Sequence, residues 1–241
     1  MAAAMSSSDT AVVIVAGGTG TRFGRVGGKQ LAALAGRPVF AHSFAAAAAV
    51  DRVGLVVVAC PPDRIEEYAT ALAADAPGIE FRFVASGERR QDSVSSGLAE
   101  VPDSFAYIVV HDGARPLAGP ELFDRTLDLL DVSPELAGAV VGHPSVDTLK
   151  TVEAGRVAGT PERSRYWTVQ TPQAFRAGAL RVAYAEAAEY GREGTDDASL
   201  VEAAGGAIGL VEGPRDNIKV TLAEDLAVAE ALLSLRAGGS T

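Results

Sequence analysis

Short, uninterrupted apolar runs recur along the first part of this chain, separated by alanine-rich or amphipathic stretches. Residues 12–15 are β-branched without a break, residues 53–60 read VGLVVVAC, further runs fall at 106–110 and 137–141, and residues 79–84 read as a shorter strand. Between them, residues 39–50, 63–74, 92–99 and 120–130 suit helices, the first and last introduced by Pro38 and Pro120, a residue whose fixed φ suits a helix start. Strands that are apolar along their whole length, rather than alternating, belong to parallel sheets covered on both faces. The expected fold class is α/β, a mostly parallel sheet with helices on both sides.

The pattern changes after Gly142. Residues 143–176 hold three prolines and two short alternating segments, 148–153 and 156–160, around the turn Ala154-Gly155. That pattern predicts a β-hairpin excursion. An arm of this kind must bury its apolar side, and a second subunit is a natural place for it. Helices are expected again at 177–189, 197–203 and 223–235, with a late strand at 208–212. No repeat or linker divides the chain, so residues 11–236 are read as one domain carrying an arm over about 143–170, between a flexible leader (1–10) and a flexible tail (237–241).

Composition narrows the function. At 241 residues the chain is long enough for a sizeable core. No apolar run approaches the roughly 18 residues of a membrane span. The start MAAAMSSSD lacks the basic region and apolar core of a secretory signal, so a cytoplasmic location is expected. The single cysteine, Cys60, can form no internal disulfide and is read as a buried, inert thiol. A net charge of −10 argues against non-specific nucleic-acid binding. An anionic ligand would then need a local positive island, which makes the few clustered cations informative.

The richest stretch is VVIVAGGTGTRFGRVGGKQ, residues 12–30, a strand that empties into a loop with Gly17, Gly18, Gly20 and Gly24 and then delivers Arg22 and Lys29. Glycines let backbone N–H groups approach an anion, and the two cations add charge to that contact. A dinucleotide fingerprint would need glycine at position 23, which is Phe23. A Walker A loop would need glycine at that same position and Ser or Thr after Lys29, where Gln30 stands. The loop therefore reads as a polyphosphate cradle of neither kind, or else as an ordinary glycine-rich turn.

Other polar groups collect at the ends of predicted strands, the rim where such sheets bind ligands. Asp112 ends the run at 106–110 and can serve as a magnesium ligand beside phosphates, or can cap the next turn or pair with Arg115. His111 is read as a packed or hydrogen-bonded residue. In SGERRQDS, residues 86–93, Ser93 can offer its hydroxyl to a ligand near a helix start, or Asp92 or Ser93 can simply be an N-cap. Thr171-Pro172-Gln173, Thr195-Asp196 and Asp216-Asn217-Ile218-Lys219 add donors and one more cation.

Taken in order, AGGTGTRF with GGKQ, SGERRQDSVSSGL, HDGARP, DTLK, QTPQAF, TDDAS and DNIKVT resemble the 2-C-methyl-D-erythritol 4-phosphate cytidylyltransferase family of non-mevalonate isoprenoid biosynthesis, over nearly the whole chain. The resemblance implies a Rossmann-like nucleotidyltransferase that joins CTP to the polyol phosphate and releases pyrophosphate. A cytidylyltransferase for another polyol phosphate, such as ribitol 5-phosphate, is the alternative. A non-catalytic nucleotide-binding protein would have no need of Arg22, Lys29, Asp112 and Lys219 together. By resemblance, Ala16, Gly17, Gly18, Gly20, Arg22 and Lys29 hold the triphosphate, and Gly87, Glu88 and Ser93 meet cytosine and ribose, with Asp112 and Gly113 helping. Arg115, Thr148, Arg163, Thr171, Thr195 and Lys219 match positions for the methylerythritol phosphate, with Asp112 bonding its hydroxyls. Arg22, Lys29 and Lys219 take the catalytic roles, Mg²⁺ or another divalent cation bridges the phosphates, and the arm carries Thr148 and Arg163 into the partner's site of a homodimer. The chain departs from the family pattern at Val15, where proline is frequent, and at Gly17 and Gly113, where alanine is.

Overall fold

The computed structural model describes residues 8–18, 23, 28–73 and 78–238. In chain order, strand β1 (Thr10–Val15) is followed by a small ribbon, β2 (Ala33–Leu34) with β3 (Arg37–Pro38), then α1 (Val39–Ala48), β4 (Val53–Cys60), α2 (Ile65–Ala73), β5 (Glu80–Ala85), α3 (Arg90–Ala99), β6 (Tyr107–Asp112) and α4 (Pro120–Val132). The second part holds β7 (Leu136–Pro144), β8 (Thr151–Glu153), β9 (Arg156–Gly159), β10 (Trp167–Arg176), α5 (Ala177–Glu189), α6 (Asp197–Ala203), β11 (Ala207–Glu212) and α7 (Ala223–Gly238).

Seven strands form one sheet in the order β11-β7-β10-β6-β1-β4-β5. The pairs β6·β1, β1·β4, β4·β5 and β7·β11 are parallel, and β10 runs antiparallel to both of its neighbours. The period-2 geometry of a strand divides the apolar runs between two cores. Val12, Ile14, Val56, Val58 and Val109 face Phe40 and Phe44 of α1, Tyr68 and Leu72 of α2 and Phe123 of α4. Ala11, Val13, Leu55, Val57, Ile108 and Val110 face Val94 and Leu98 of α3 and Leu180 of α5. Continuous apolar strands are thus buried on both sides, as expected.

A third cluster gathers Phe23, Leu34, Val39, Leu117, Val220 and Ala229. Phe23, the residue that spoils the dinucleotide fingerprint, is almost fully buried there. There it packs beside Ala229 of α7.

Two expectations need correction. Of the predicted excursion at 143–176, only β8 and β9 form a separate two-stranded ribbon; β10 re-enters the main sheet between β6 and β7. Its polar Gln170, Thr171 and Gln173 are buried and find hydrogen-bond partners on β6 and in neighbouring loops, so polarity does not mark them as surface residues. Asp9, counted with the flexible leader, is instead clamped by Arg52, whose Nη2 lies 2.8 Å from Asp9 Oδ2.

Candidate active site

A cavity of about 500 Å³ opens beyond the carboxyl ends of β1, β4, β5 and β6, a volume within the usual range for small-molecule sites. Its wall includes Gly17, Gly18, Lys29, Gly87, Glu88, Ser93, Asp112 and Lys219. The loops assemble because the strand ladder extends past the strands: Ala16 N donates to Ala59 O at 2.8 Å and Ser86 N to Cys60 O at 2.8 Å. At Gly17 a Cβ would sit 2.1 Å from Ser86 Cβ. Glycine at this position therefore leaves room for the serine on the neighbouring loop. The loop after β5 is closed by Ser93, whose Oγ accepts from Gly87 N at 3.1 Å and donates to Arg89 O at 3.1 Å. Neither Asp92 nor Ser93 is the N-cap of α3. That position is Arg89, and Asp92 reaches back from the third helical position to accept from Arg89 N at 3.1 Å.

The floor of the cavity is an ionic cage around Asp112. Lys219 Nζ lies 2.8 Å from Oδ2 and Arg90 Nε 3.0 Å from Oδ1. Arg115 Nε stands at 3.6 Å from Oδ2, too long for a hydrogen bond. Burial by itself would raise the Asp112 pKa, but the charges of Arg90, Lys219 and Arg115 override it and hold the carboxyl well below its ordinary range. Arg90 also donates through Nη2 to the fully buried Asp197 at 2.7 Å, which accepts from Tyr184 Oη at 2.5 Å. Three cations thus share two carboxylates, a residual positive island of the kind an anionic ligand requires.

Behind Asp112, its backbone N donates to Thr171 Oγ1 at 3.0 Å, and the same hydroxyl lies 3.0 Å from His111 Nδ1. His111 is fully buried against Phe123, and burial depresses its pKa to about 3. It is a packed neutral imidazole, as its isolation in sequence suggests. Burial raises the Cys60 thiol to about 11, an inert group.

The remaining sequence-derived candidates divide by position. Ala16 lies beneath the cavity, its carbonyl accepting from Tyr68 Oη at 3.1 Å. Gly113 is bonded beside it, its N–H donating to Val15 O at 3.0 Å. Arg115 is mostly buried beside Asp112. Thr171 is buried behind β6, and the exposed Thr195, Thr148 and Arg163 are not in the cavity wall; Arg163 instead donates to Val146 O at 2.8 Å at the base of the arm. Gly20 and Arg22 lie outside the described residues. Sequence reading singled out no role for Arg90 and missed Asp197 and Tyr184, which are brought to Asp112 from α3, α6 and α5. A pair of arginines at a helix start beside a predicted rim was the available signal.

A metal role for Asp112 does not fit this cage. Both carboxylate oxygens already face cations, so a divalent ion there would meet like charge. Among the described residues no three His, Cys, Asp or Glu side chains gather as ligands.

Comparison with known proteins decides the lineage. A family model described as 2-C-methyl-D-erythritol 4-phosphate cytidylyltransferase matches residues 10–235. The chain belongs to this family. It is 43% identical over 233 residues to the 2-C-methyl-D-erythritol 4-phosphate cytidylyltransferase of Cereibacter sphaeroides, covering 95% of this chain and 99% of that one. To the enzyme of the same name from Alkaliphilus metalliredigens it is 38% identical over 236 residues, covering 97% and 96%. Among solved structures, 4-diphosphocytidyl-2C-methyl-D-erythritol synthase from Anaerococcus prevotii aligns with a TM-score of 0.82 at 25% identity, over 93% of this chain and 98% of that one. As a member of this cytidylyltransferase family the chain is an enzyme, a nucleotidyltransferase. Among the described residues no helix is long and apolar enough to cross a membrane.

Proposed function

We propose that the chain transfers the cytidylyl group of CTP to 2-C-methyl-D-erythritol 4-phosphate. The observation that carries the reading is the Lys219-Asp112-Arg90 cage at the floor of a cavity whose wall includes Gly17, Gly18 and Lys29. A phosphate oxygen of the acceptor attacks the α-phosphorus of CTP in line. The new P–O bond forms as the bond from that phosphorus to the α–β bridging oxygen breaks, and pyrophosphate leaves with the electron pair.

The nucleophile is already an anion, so no general base is needed. The work of the protein is alignment and cancellation of charge on the phosphoryl oxygens. Lys219 and Lys29 supply that charge, Arg22 is assigned the same role from its place in the loop, and Gly17 and Gly18 N–H groups face the triphosphate. Asp112 holds Lys219 ready and does not bind metal. A divalent cation entering on the triphosphate belongs to the substrate, and no step is assigned to it. Glu88 and the Gly87 loop form the wall assigned to cytosine.

The arm extends this reading to a second copy. Val152, Val157 and Tyr166 on or beside it are exposed apolar residues, an unfavourable surface for a lone chain. The proposed homodimer covers them and brings Thr148 and Arg163 to the partner's cavity. A monomer by light scattering at assay concentration would overturn the dimer.

Pyrophosphate release with CTP and methylerythritol phosphate tests the activity, with ribitol 5-phosphate as the competing acceptor and ATP and GTP as competing donors. Turnover is expected for CTP with methylerythritol phosphate. Equal or better kcat/KM with ribitol 5-phosphate would assign a different acceptor.

A further inference from the structure

Lys219 lies on a loop that belongs to no strand or helix. Something must hold its ammonium at the cage, because a loop without ladder hydrogen bonds has no scaffold of its own. Two residues flank it as anchors. Val220 is fully buried in the cluster with Phe23, and its N–H donates to Ala114 O at 2.8 Å. Asn217, also fully buried, is the other.

Asn217 Nδ2 donates to Gln170 Oε1 at 3.0 Å and to Thr171 O at 3.0 Å, both on β10. Gln170 Nε2 in turn donates to Pro214 O at 3.1 Å, closing the start of the same loop onto the sheet. The backbone carbonyl of Asn217 accepts from Arg115 Nη1 at 2.8 Å. One side chain therefore ties the Lys219 loop to the antiparallel strand, and its carbonyl ties Arg115 to the same point. Its Oδ1 is buried without a partner among the described residues, so the side chain is held through its two Nδ2 donations.

We infer that Asn217 is a positioning residue for the cytidylyl transfer, setting Lys219 relative to the α-phosphate. Asn217 touches no substrate in this scheme and acts through Lys219. The inference rests on the role given to Lys219 under the proposed function.

The test is a double-mutant cycle on the full-length protein, read as kcat for pyrophosphate release. Asn217→Ala is expected to lower kcat by roughly 10- to 100-fold, since displacements of about 1 Å carry losses of that order. In a Lys219→Ala background the same substitution should lower kcat hardly further, because the group it positions is gone. A purely structural residue would impose the same factor in both backgrounds, and that outcome overturns the inference while leaving the role of Lys219 intact. Wild-type kcat in Lys219→Ala alone would overturn both. Should Asn217→Ala fail to fold, Gln170→Met removes one of the two acceptors while keeping side-chain length. It should give a smaller loss of kcat with the same dependence on Lys219, and equal losses in both backgrounds would sink the idea.

Discussion

Two ionic clusters sit at opposite ends of the same parallel strands, and they are built on opposite terms. At the amino ends, Arg52 pairs with Asp9 at 2.8 Å and Asp131 at 2.6 Å, with Tyr107 donating to Asp131 at 2.8 Å and the Arg52 guanidinium 5.1 Å from the Tyr107 ring centroid. Carboxylates outnumber cations there, and the partners are partly exposed. At the carboxyl ends the cations outnumber the carboxylates, and Asp112 and Asp197 are buried. The first cluster ties the start of β1 to α4. The second stores positive charge where the triphosphate is expected, and this surplus of cations over two buried carboxylates separates a site from a clamp.

The comparison can be broken at several points. Arg90→Met strips the fixed counter-ion from two buried carboxylates, and breaking a buried pair costs about 3–5 kcal/mol. Urea unfolding should show a loss of that size, and an unchanged midpoint would mean that the cage tolerates an unpaired Asp197. Lys219→Ala leaves the buried pair in place, so it should fold normally yet lose ~10²–10³ in kcat, the usual penalty for one preorganised charge-stabilising donor. Steady-state kinetics beside a melting curve would expose any failure of that separation.

Acid provides a graded test of the carboxyl end. His111 titrates near 6.5 when unfolded and at about 3 when folded, so between these values the unfolded chain binds the extra proton. Its contribution to stability is present above that window and is lost as pH falls through it, with a slope of up to about 1.4 kcal/mol per pH unit. Asp112, held low in the fold, adds a loss of the same sign once the pH falls below its ordinary carboxylate range. Denaturant titrations from pH 7 to 4 should show the fall, and His111→Gln should flatten it. The smallest effect is expected at the other end. Arg52→Ala removes partly exposed pairs and should cost about 1 kcal/mol or less, with kcat unchanged and a dependence on salt. A large loss of kcat there would mean that the two ends are coupled.

Much of the fold was legible because burial on both sheet faces demands continuous apolar strands. Residues 53–60, 177–189 and 197–203 coincide with β4, α5 and α6. Lys29, Gly87, Ser93 and Lys219, taken from separate stretches of sequence, do meet at one cavity. Thr171, matched by resemblance to a substrate-binding position, has a hydroxyl that accepts from the Asp112 N–H. A hydroxyl aimed at a backbone amide and one aimed at solvent look the same in a sequence.

By itself the sequence determined the elements, the rim on which their loops gather and the family. Those properties follow from local periodicity and from ordered motifs. Only the tertiary structure decided that β10, with its prolyl and amide-rich segment, belongs inside the sheet, since its polar groups are satisfied by Asn217 and Asp196 from distant loops. It also set Asp112 among Lys219, Arg90 and Arg115. Arg90 reaches Asp112 and Asp197 across 22 and 107 residues of sequence, and the sign of a buried charge cluster depends on every partner that folding brings to it.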